Sequence, residues 1–589
     1  MILTALTSHF ERLSEKGEVP SFGYSPQGVS YVIVLRRDGQ IADIQPNFDT
    51  SGKKPKPRPL IVPRDLEGRT SGVRPYFLCD KTSYALGLSE TSKRAKREHE
   101  SFVDLHQSLL QEAHDEGLQA LIRFLECWNP ESPNPRAKFH EIKDTFVAFR
   151  LDGEKVYLHD KLEAYDIWTR YIEKGKETGL CLVTGRDTAL TRLSPSIRGI
   201  HKNNLTDPDP KLVSFDKPTF RSYGKEQGGN APLSEYAAFA YTTALNYLLQ
   251  DNPARNQKVR VGDTTTVFWA EADNSQEAEA AESLYAELMD PPDDAQEAER
   301  LSIVMEKAAK GRPLEEIDPQ LQGSTRFYVL GLAPNASRLA VRFWYANTLG
   351  DLTKNIGLHY RDLILEPAPW RAPPAVWRLL YETAAQRDAK NISPNLAGEL
   401  MRAVITGRPY PRSLLATVIM RMRTDGDING LRAALCKACL NRDHRIGTGN
   451  ISKEVPMSLD PNETAPGYRL GRLFAVLEKV QNEAIGSVNA SIADRFYASA
   501  SATPAAVFGM LLNKAKSHLG TLRRKKGEGR ARYLESQIGE IMDGLTPDLP
   551  RSLPLEEQGR FAVGYYHQRQ AFYQKANKPD ETPQETDAQ

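Results

Sequence analysis

Cysteine is scarce: Cys79, Cys127, Cys181, Cys436 and Cys439 are the five in 589 residues. So sparse and odd a set builds no disulfide framework and fits a reducing compartment. Long apolar runs are missing as well, none approaching the roughly 20 residues that span a bilayer. The opening MILTALTSHFERL has no basic segment followed by an apolar one, the mark of a secretory leader. A cytoplasmic protein is therefore expected. Net charge is nearly absent: 77 Lys and Arg against 76 Asp and Glu leave +1. A simple nucleic-acid binder is usually more basic. The charge is segregated, however. An acidic stretch from Glu271 to Glu316 offsets basic regions elsewhere, and the local field at a cleft matters more than the sum.

Catalytic signatures are also lacking. There is no GxxxxGK[ST] phosphate loop; GKETG and GKEQGG have neither the upstream glycine nor the following Ser or Thr. HExxH and GxSxG are absent. Cys436 and Cys439 form a CxxC, but a structural zinc site needs about four ligands and His444 would supply only a third. The pair sits at i and i+3 of one helix and reads as two small buried residues. His114-Asp115 and His159-Asp160 match the His-Asp pairs of metal phosphohydrolases over two residues each. His114 is placed within a helix and His159 at a strand end. Asp207 to Lys211, DPDPK, has the outline of a nuclease carboxylate-lysine pattern, but its prolines make it a surface turn. No catalytic residue, metal or cofactor is expected.

What is present is an ordinary globular composition, 40% hydrophobic and 26% charged, in a chain long enough for about three or four domains. Leu3, Leu6, Phe10 and Leu13 recur at helical spacing. SYVIVLRRDGQI reads as a strand and turn, and the proline-rich GKKPKPRPLIVPR starts as a loop. A long helical region runs from about Ser92 to Trp128. KFHEIKDTFVAFRLDGEKVYLH reads as a β-hairpin, LSEYAAFAYTTALNYLL as a helix, and KVRVGDTTTVFWAE as a strand. The Ala/Glu-rich acidic stretch reads as helix where ordered, solvated throughout. TRFYVLGLAPNASRLAVRFWYANTL gives two strands about a turn at Pro334-Asn335. Beyond about Pro374 helical periods dominate. The fold class is α+β: a mixed α/β N-terminal body followed by an all-α C-terminal helical bundle. The boundaries are a body over 1–270, an acidic helical or flexible insert over 271–319, a continuation of the body over 320–375, a bundle over 376–575 and a disordered tail over 576–589.

Phosphate binding calls for Lys or Arg beside glycine-exposed backbone, and four segments combine them. Lys53, Lys54, Lys56 and Arg58 form one cluster, and Arg69, Ser71, Gly72 and Arg74 a second. The third, FDKPTFRSYGKEQGGNAP, holds Lys217, Arg221, Lys225, Gln227 and Asn230 with Tyr223 interleaved. Standing just before a helix, it is suited to hold a nucleic-acid backbone at that helix N-terminus. Arg523, Arg524, Lys525, Lys526, Arg530 and Arg532 form the fourth, linking two bundle helices.

Several segments together resemble one family. RTSGVRPYFLCDKTSYALGL, LVSFDKPTFRSYGKEQGGNAPLSEYAAFAYTTALNYLL, VGDTTTVFWA, GLAPNASRLAVRFWY, SASATPAAVF and LPLEEQGRFAVGYYHQRQAFY, in this order along nearly the whole chain, are similar to the large subunit of type I-C CRISPR Cascade. The resemblance implies a non-catalytic protein that reads a short PAM in duplex DNA while guide-RNA pairing reads the target. It implies minor-groove reading, strand separation, and recruitment of a separate helicase-nuclease. By that likeness Ser71 and Gly72 approach the minor groove, Arg74 and Lys81 lie near phosphates, and Lys217 to Asn230 meet PAM-proximal duplex or displaced strand. The C-terminal region resembles a fused small subunit, produced separately in such systems by internal initiation, for which Met457 is the best-placed methionine. Lys514, Lys516 and Arg523 to Lys526 would then line the path of separated strands. The implied partners are crRNA-bearing backbone subunits, target DNA, the helicase-nuclease and the separate small subunit.

Overall fold

A computed structural model describes the chain except residues 53, 65–71, 132–138, 201–207, 253–254, 256, 273, 293, 449–452, 487–489 and 575–589. The tail from 576 thus lies outside the described residues, as does Ser71. Two compact units emerge: Met1–Gln250 with 335–339, and Asp251–Pro334 with Ala340–Gln589.

The first unit opens with helix α1 (Ile2–Glu15), whose Leu6, Phe10 and Leu13 are buried as the periodicity requires. Strands β1 (Tyr24–Val29), β2 (Tyr31–Leu35), β3 (Ile41–Pro46), β4 (Phe48–Asp49) and β5 (Lys56–Pro63) follow. The proline-rich segment is thus a strand from Lys56 onward, pairing antiparallel with β1 from Val29↔Arg58 to Tyr24↔Pro63. Next come β6 (Cys79–Lys81), α2 (Thr82–Ala85), α3 (Ala95–Leu110), α4 (Glu116–Cys127), α5 (Phe139–Ile142) and β7 (Phe146–Leu151). The helical region from Ser92 is two helices, and Asp115 caps the second by accepting from the Gly117 and Leu118 amides. The expected hairpin at KFHEIKDTFVAFRLDGEKVYLH forms differently. Its first half is α5, and β7 keeps only an isolated bridge, Arg150↔Tyr157, to its second half. The buried strand FVAFRL instead pairs parallel with β2 and antiparallel with β6. The sheet order β3-β2-β7-β6 is accordingly mixed. Helix α6 (Leu162–Glu173), the hairpin β8 (Thr178–Leu180) and β9 (Asp187–Ala189), and α7 (Glu235–Leu249) complete the unit.

In the second unit KVRVGDTTTVFWAE makes two strands, β10 (Lys258–Val261) and β11 (Thr264–Glu271), because Gly262 turns the chain at φ +64°. The expected N-terminal body ran to 270, yet these strands pack in the second unit. The acidic stretch folds as α8 (Ser275–Met289) and α9 (Ala295–Ala309), capped by Asn274 and Asp294. It is not solvated throughout. Ala281, Tyr285, Leu288 and Met289 recur every three or four residues and are buried, so one face joins the core. Strands β12 (Arg326–Asn335) and β13 (Arg338–Thr348) complete a sheet of order β10-β11-β12-β13.

Helices take over from there: α10 (Leu349–Leu363), α11 (Val376–Tyr381), α12 (Pro394–Thr406), α13 (Arg412–Asp425), α14 (Gly430–Ile446), α15 (Pro466–Ile485), α16 (Ile492–Ala502), α17 (Pro504–Lys526), α18 (Glu528–Asp543) and α19 (Leu555–Gln574). Pro394, Pro466 and Pro504 start three of them, where a missing amide costs nothing. One continuous apolar core runs from Val261 and Phe268 of the sheet to Phe561 and Tyr565 of α19.

Glycine lets α15 and α19 cross closely. A Cβ on Gly471 of α15 would lie 2.1 Å from the Phe561 carbonyl oxygen, and one on Gly564 of α19 2.2 Å from that of Tyr468. Neither backbone can yield without parting the helices. Gly471→Ala is therefore expected to destabilise the second unit by about 3 kcal/mol, seen as a lower urea midpoint.

Candidate nucleic-acid interface

The loop ahead of β6 is held from beneath. Asp80, fully buried, accepts from the Tyr76 amide at 2.8 Å and the Lys81 amide at 2.7 Å. His106 of α3 donates from Nδ1 to the Phe102 carbonyl at 2.7 Å, which leaves Nε2 to accept from the Leu78 amide at 2.8 Å. Burial pushes this imidazole down to about 4, the Phe102 bond opposing, so it stays a neutral acceptor. That bond supports Leu78 in the left-handed region at φ +57°. On this base Gly72 stands exposed at φ +86° with open space around it, and Arg74 and Lys81 are exposed. Ser71 is outside the described residues.

Arg74 borders an open depression of about 770 Å³. Tyr76 and Tyr171 flank it, Tyr171 with 39% of its surface exposed. Lys174 and Lys176, just after α6, complete the basic rim, Lys176 also pairing with Glu235 at 2.8 Å. The exposed Tyr171 beside these cations suits a stacked base and a phosphate backbone, while Tyr76 is buried and Asp104 adds one carboxylate to the lining. Sequence reasoning missed Tyr171, Lys174 and Lys176. In TRYIEKGKETG an aromatic and two lysines at a helix end were the available signal.

The second loop is a chain of short 3-10 turns. Tyr223 sits at its apex, fully exposed and left-handed at φ +57°, followed by Gly224 at φ +70°. Such backbone is uncommon for a bulky residue and marks a position to examine. Lys217, Arg221 and Lys225 are exposed around it. Arg221 lies 3.4 Å from Glu226, both more than half exposed. Gln227 and Asn230 are half-buried, and the Asn230 side-chain amide donates to the Gln227 backbone carbonyl at 3.2 Å, bracing the loop. The Gly228 amide donates to the Arg192 carbonyl at 3.1 Å, and a Cβ there would meet the Thr191 carbonyl at 2.3 Å. At the loop's root Arg338 pairs with Asp216 and lies 4.4 Å over the Phe220 ring.

At the helix N-terminus behind this loop Ser234 is buried, its hydroxyl accepts from the Ala237 amide at 3.0 Å, and its own amide donates to Cys181 Sγ at 3.2 Å. One amide of the first turn of α7 is thus capped by its own chain. The two loops also line different depressions, Arg74 one and Gln227 with Gly228 another of about 320 Å³.

The basic run of the second unit is the last turn of α17, where cations complement the helix dipole. Most of it is spent internally. Arg523 pairs with Glu528 at 3.5 Å and with Glu535, Lys526 with Glu483 at 3.6 Å, and Arg530 with Glu483 at 2.6 Å. Lys525 donates to the Ala484 carbonyl at 2.9 Å. Lys514 lies 5.3 Å over the Phe496 ring. Lys516 and Arg524 point outward.

The residues weighed for catalysis lie apart from these loops. His114 is in the exposed connection before α4, not in a helix, and its amide donates to Glu163 at 2.8 Å. His159 is buried, and burial pushes it down to about 4. Burial pushes Cys436 up to about 12 and raises Cys439 well above the ordinary thiol value; both thiols are core groups of α14. Of DPDPK, Asp207 is outside the described residues, and Lys211 makes a parallel bridge to Arg338.

Among the described residues no helix is long and apolar enough to cross a membrane. The chain joins an α+β body with exposed basic loops to a helical C-terminal region. The family model of the CRISPR-associated protein Cas_Csd1 matches residues 6–573, and the chain belongs to that family. It is a CRISPR-associated large subunit of the Cascade type. No curated protein matches the chain.

Proposed function

We propose that this chain is the PAM-reading large subunit of a type I-C surveillance complex. Guide RNA reads the target by pairing; the protein reads a short motif in the duplex, starts its opening and stabilises the R-loop. The observation that carries this reading is the convergence of Arg74, Lys174 and Lys176 with Tyr76 and Tyr171 around one depression beside Gly72. Ser71 and Gly72 approach the minor groove, where a residue without a side chain allows close contact. Arg74 and Lys81 hold phosphates. Lys217, Arg221 and Lys225 contact PAM-proximal duplex or the displaced strand, and Tyr223 stacks on an unpaired base. The subunit is non-catalytic, works in the prokaryotic cytoplasm with crRNA-bearing subunits, and passes DNA to a helicase-nuclease.

A separately produced small subunit beginning at Met457 fits the second unit in one respect. Met457 is exposed in the connection before α15, and α15 packs closely on α19 through Gly471 and Gly564. Against it, Gly559 of α19 seats on Leu415 and Leu440 of α13 and α14, a face that the separate product would expose. A pure scaffold role is favoured, for the C-terminal part alone, by the internal pairing of Arg523, Lys526 and Arg530.

The test is a gel shift of the reconstituted complex, with and without this chain, on a target with randomised PAM-side bases. Recovery of a short motif only with the chain present is the expected result. Retained binding without enrichment leaves the scaffold.

A further inference from the structure

We propose that the groove between α8 and α9 is the docking site for a net-basic amphipathic helix of a protein partner. From Glu271 to Pro319 the sequence holds 15 Asp and Glu against 4 Lys and Arg, in a chain whose total is +1. This surface therefore repels nucleic acid while the rest of the chain is correspondingly basic.

The groove encloses about 590 Å³. Its floor is apolar, from Leu284 of α8, Ile303 and Val304 of α9, and Ile317 and Leu321 beyond them. Ile303 leaves 48% of its surface in water, although the opposite face of the same helix reaches the core through Leu301 and Met305. Its two walls differ in charge. Glu279 and Glu287 stand on the α8 side and Asp318 at the end, while Arg300 and Lys307 stand on the α9 side. An amphipathic helix lays an apolar stripe into such a floor. Lys or Arg beside that stripe would meet α8, and a carboxylate on the other flank would meet α9. The unequal walls fix which way round the helix lies.

Charge separates this occupant from the others. The segment after Gln574 carries Asp580, Glu581, Glu585 and Asp587 against Lys575 and Lys578, so it is repelled. A second copy of this chain would bring two like acidic surfaces together.

The experiment places a photoreactive benzoylphenylalanine at Ile303 in the full chain, assembled with the other proteins of its CRISPR complex. The expected adduct joins one partner peptide whose Lys and Arg recur every three or four residues beside apolar ones. Charge reversal at Glu279→Lys, Glu287→Lys and Asp318→Lys is expected to weaken that partner's binding at least tenfold. Duplex affinity, measured on the same variant, does not fall, since less acidic surface repels nucleic acid, which separates this site from the DNA-reading loops; an unchanged urea midpoint confirms that the second unit is folded. An adduct to nucleic acid, to a second copy, to residues 575–589 or to an acidic peptide would overturn the proposal. So would no adduct, or unchanged partner affinity after charge reversal.

Discussion

Asp362→Ala is expected to lower the stability of the second unit by about 3–5 kcal/mol, the cost of leaving buried charge without its counter-ion. Asp362 closes α10 at 2% exposure. Its carboxylate accepts from Arg442 Nε at 2.8 Å and from Arg445. Arg442 has no exposed surface and also donates to the Ala403 carbonyl at 3.0 Å, the Arg408 carbonyl at 3.1 Å and the Tyr410 hydroxyl at 2.9 Å. One guanidinium thus ties α10 and α14 to the end of α12. Lys437, 1% exposed, donates to the Asp362 backbone carbonyl at 3.0 Å. Removing the carboxylate leaves these cations facing one another in the core. Arg442→Met, which takes the charge and its donors away together, is expected to cost less than Asp362→Ala in urea unfolding.

A pH profile separates this from simple loss of packing. Burial pushes Lys437 down to about 8, with the Asp362 and Glu454 carboxylates opposing the fall. The folded value lies below the unfolded one, so the charged form is penalised and stability rises as pH climbs through about 8. Without Asp362 the value falls further, and the rise begins at lower pH. Unfolded thiols also ionise near the top of the window between pH 7 and 9, so the onset is read as the difference between Asp362→Ala and the parent, which share that contribution. An unchanged onset would assign the loss to packing alone.

The parts of this fold that were legible in the sequence are those decided locally. Helix α7 follows from Ser234 as cap and an apolar run, and α1 from the spacing of Leu6, Phe10 and Leu13. The mixed character of the body and the helical C-terminal region are likewise written in short periods. What depended on distant pairing was not legible. FVAFRL carries no mark that its neighbours are β2, more than 100 residues away, and β6, more than 60 residues away. The acidic stretch showed its charges more plainly than the Ala, Leu and Tyr stripe that seats it. For the interface, the exposure of Lys217, Arg221 and Lys225 was readable from a polar Gly-rich loop. The meeting of Arg74 with Lys174 was not, because about 100 residues separate them and only folding joins them. At the end of α17 the sequence shows the cations but not Glu483 and Glu535 beside them.

Lys217, Arg221 and Lys225, replaced together by alanine, are expected to flatten the salt dependence of duplex binding. Three lost phosphate contacts lower the slope of log affinity against log salt by about 2.7. Raising salt from 50 to 200 mM then costs the variant about 40-fold less affinity than it costs the parent. Little inside the molecule competes for these cations, since the exposed Arg221–Glu226 pair is weak. The matched replacement of Arg523, Lys525 and Lys526 should leave the slope nearly unchanged and lower stability instead, because those groups serve Glu483, Glu535 and the Ala484 carbonyl. Tyr223→Ala tests the loop by a different term. Base stacking is worth about 1–3 kcal/mol and does not release counter-ions, so affinity for opened DNA should drop at every salt concentration with the slope intact. If both loop variants kept the parental slope and affinity, the loop would be a structural cover over Arg192 and Thr191, and DNA contact would rest on the Arg74 cleft alone.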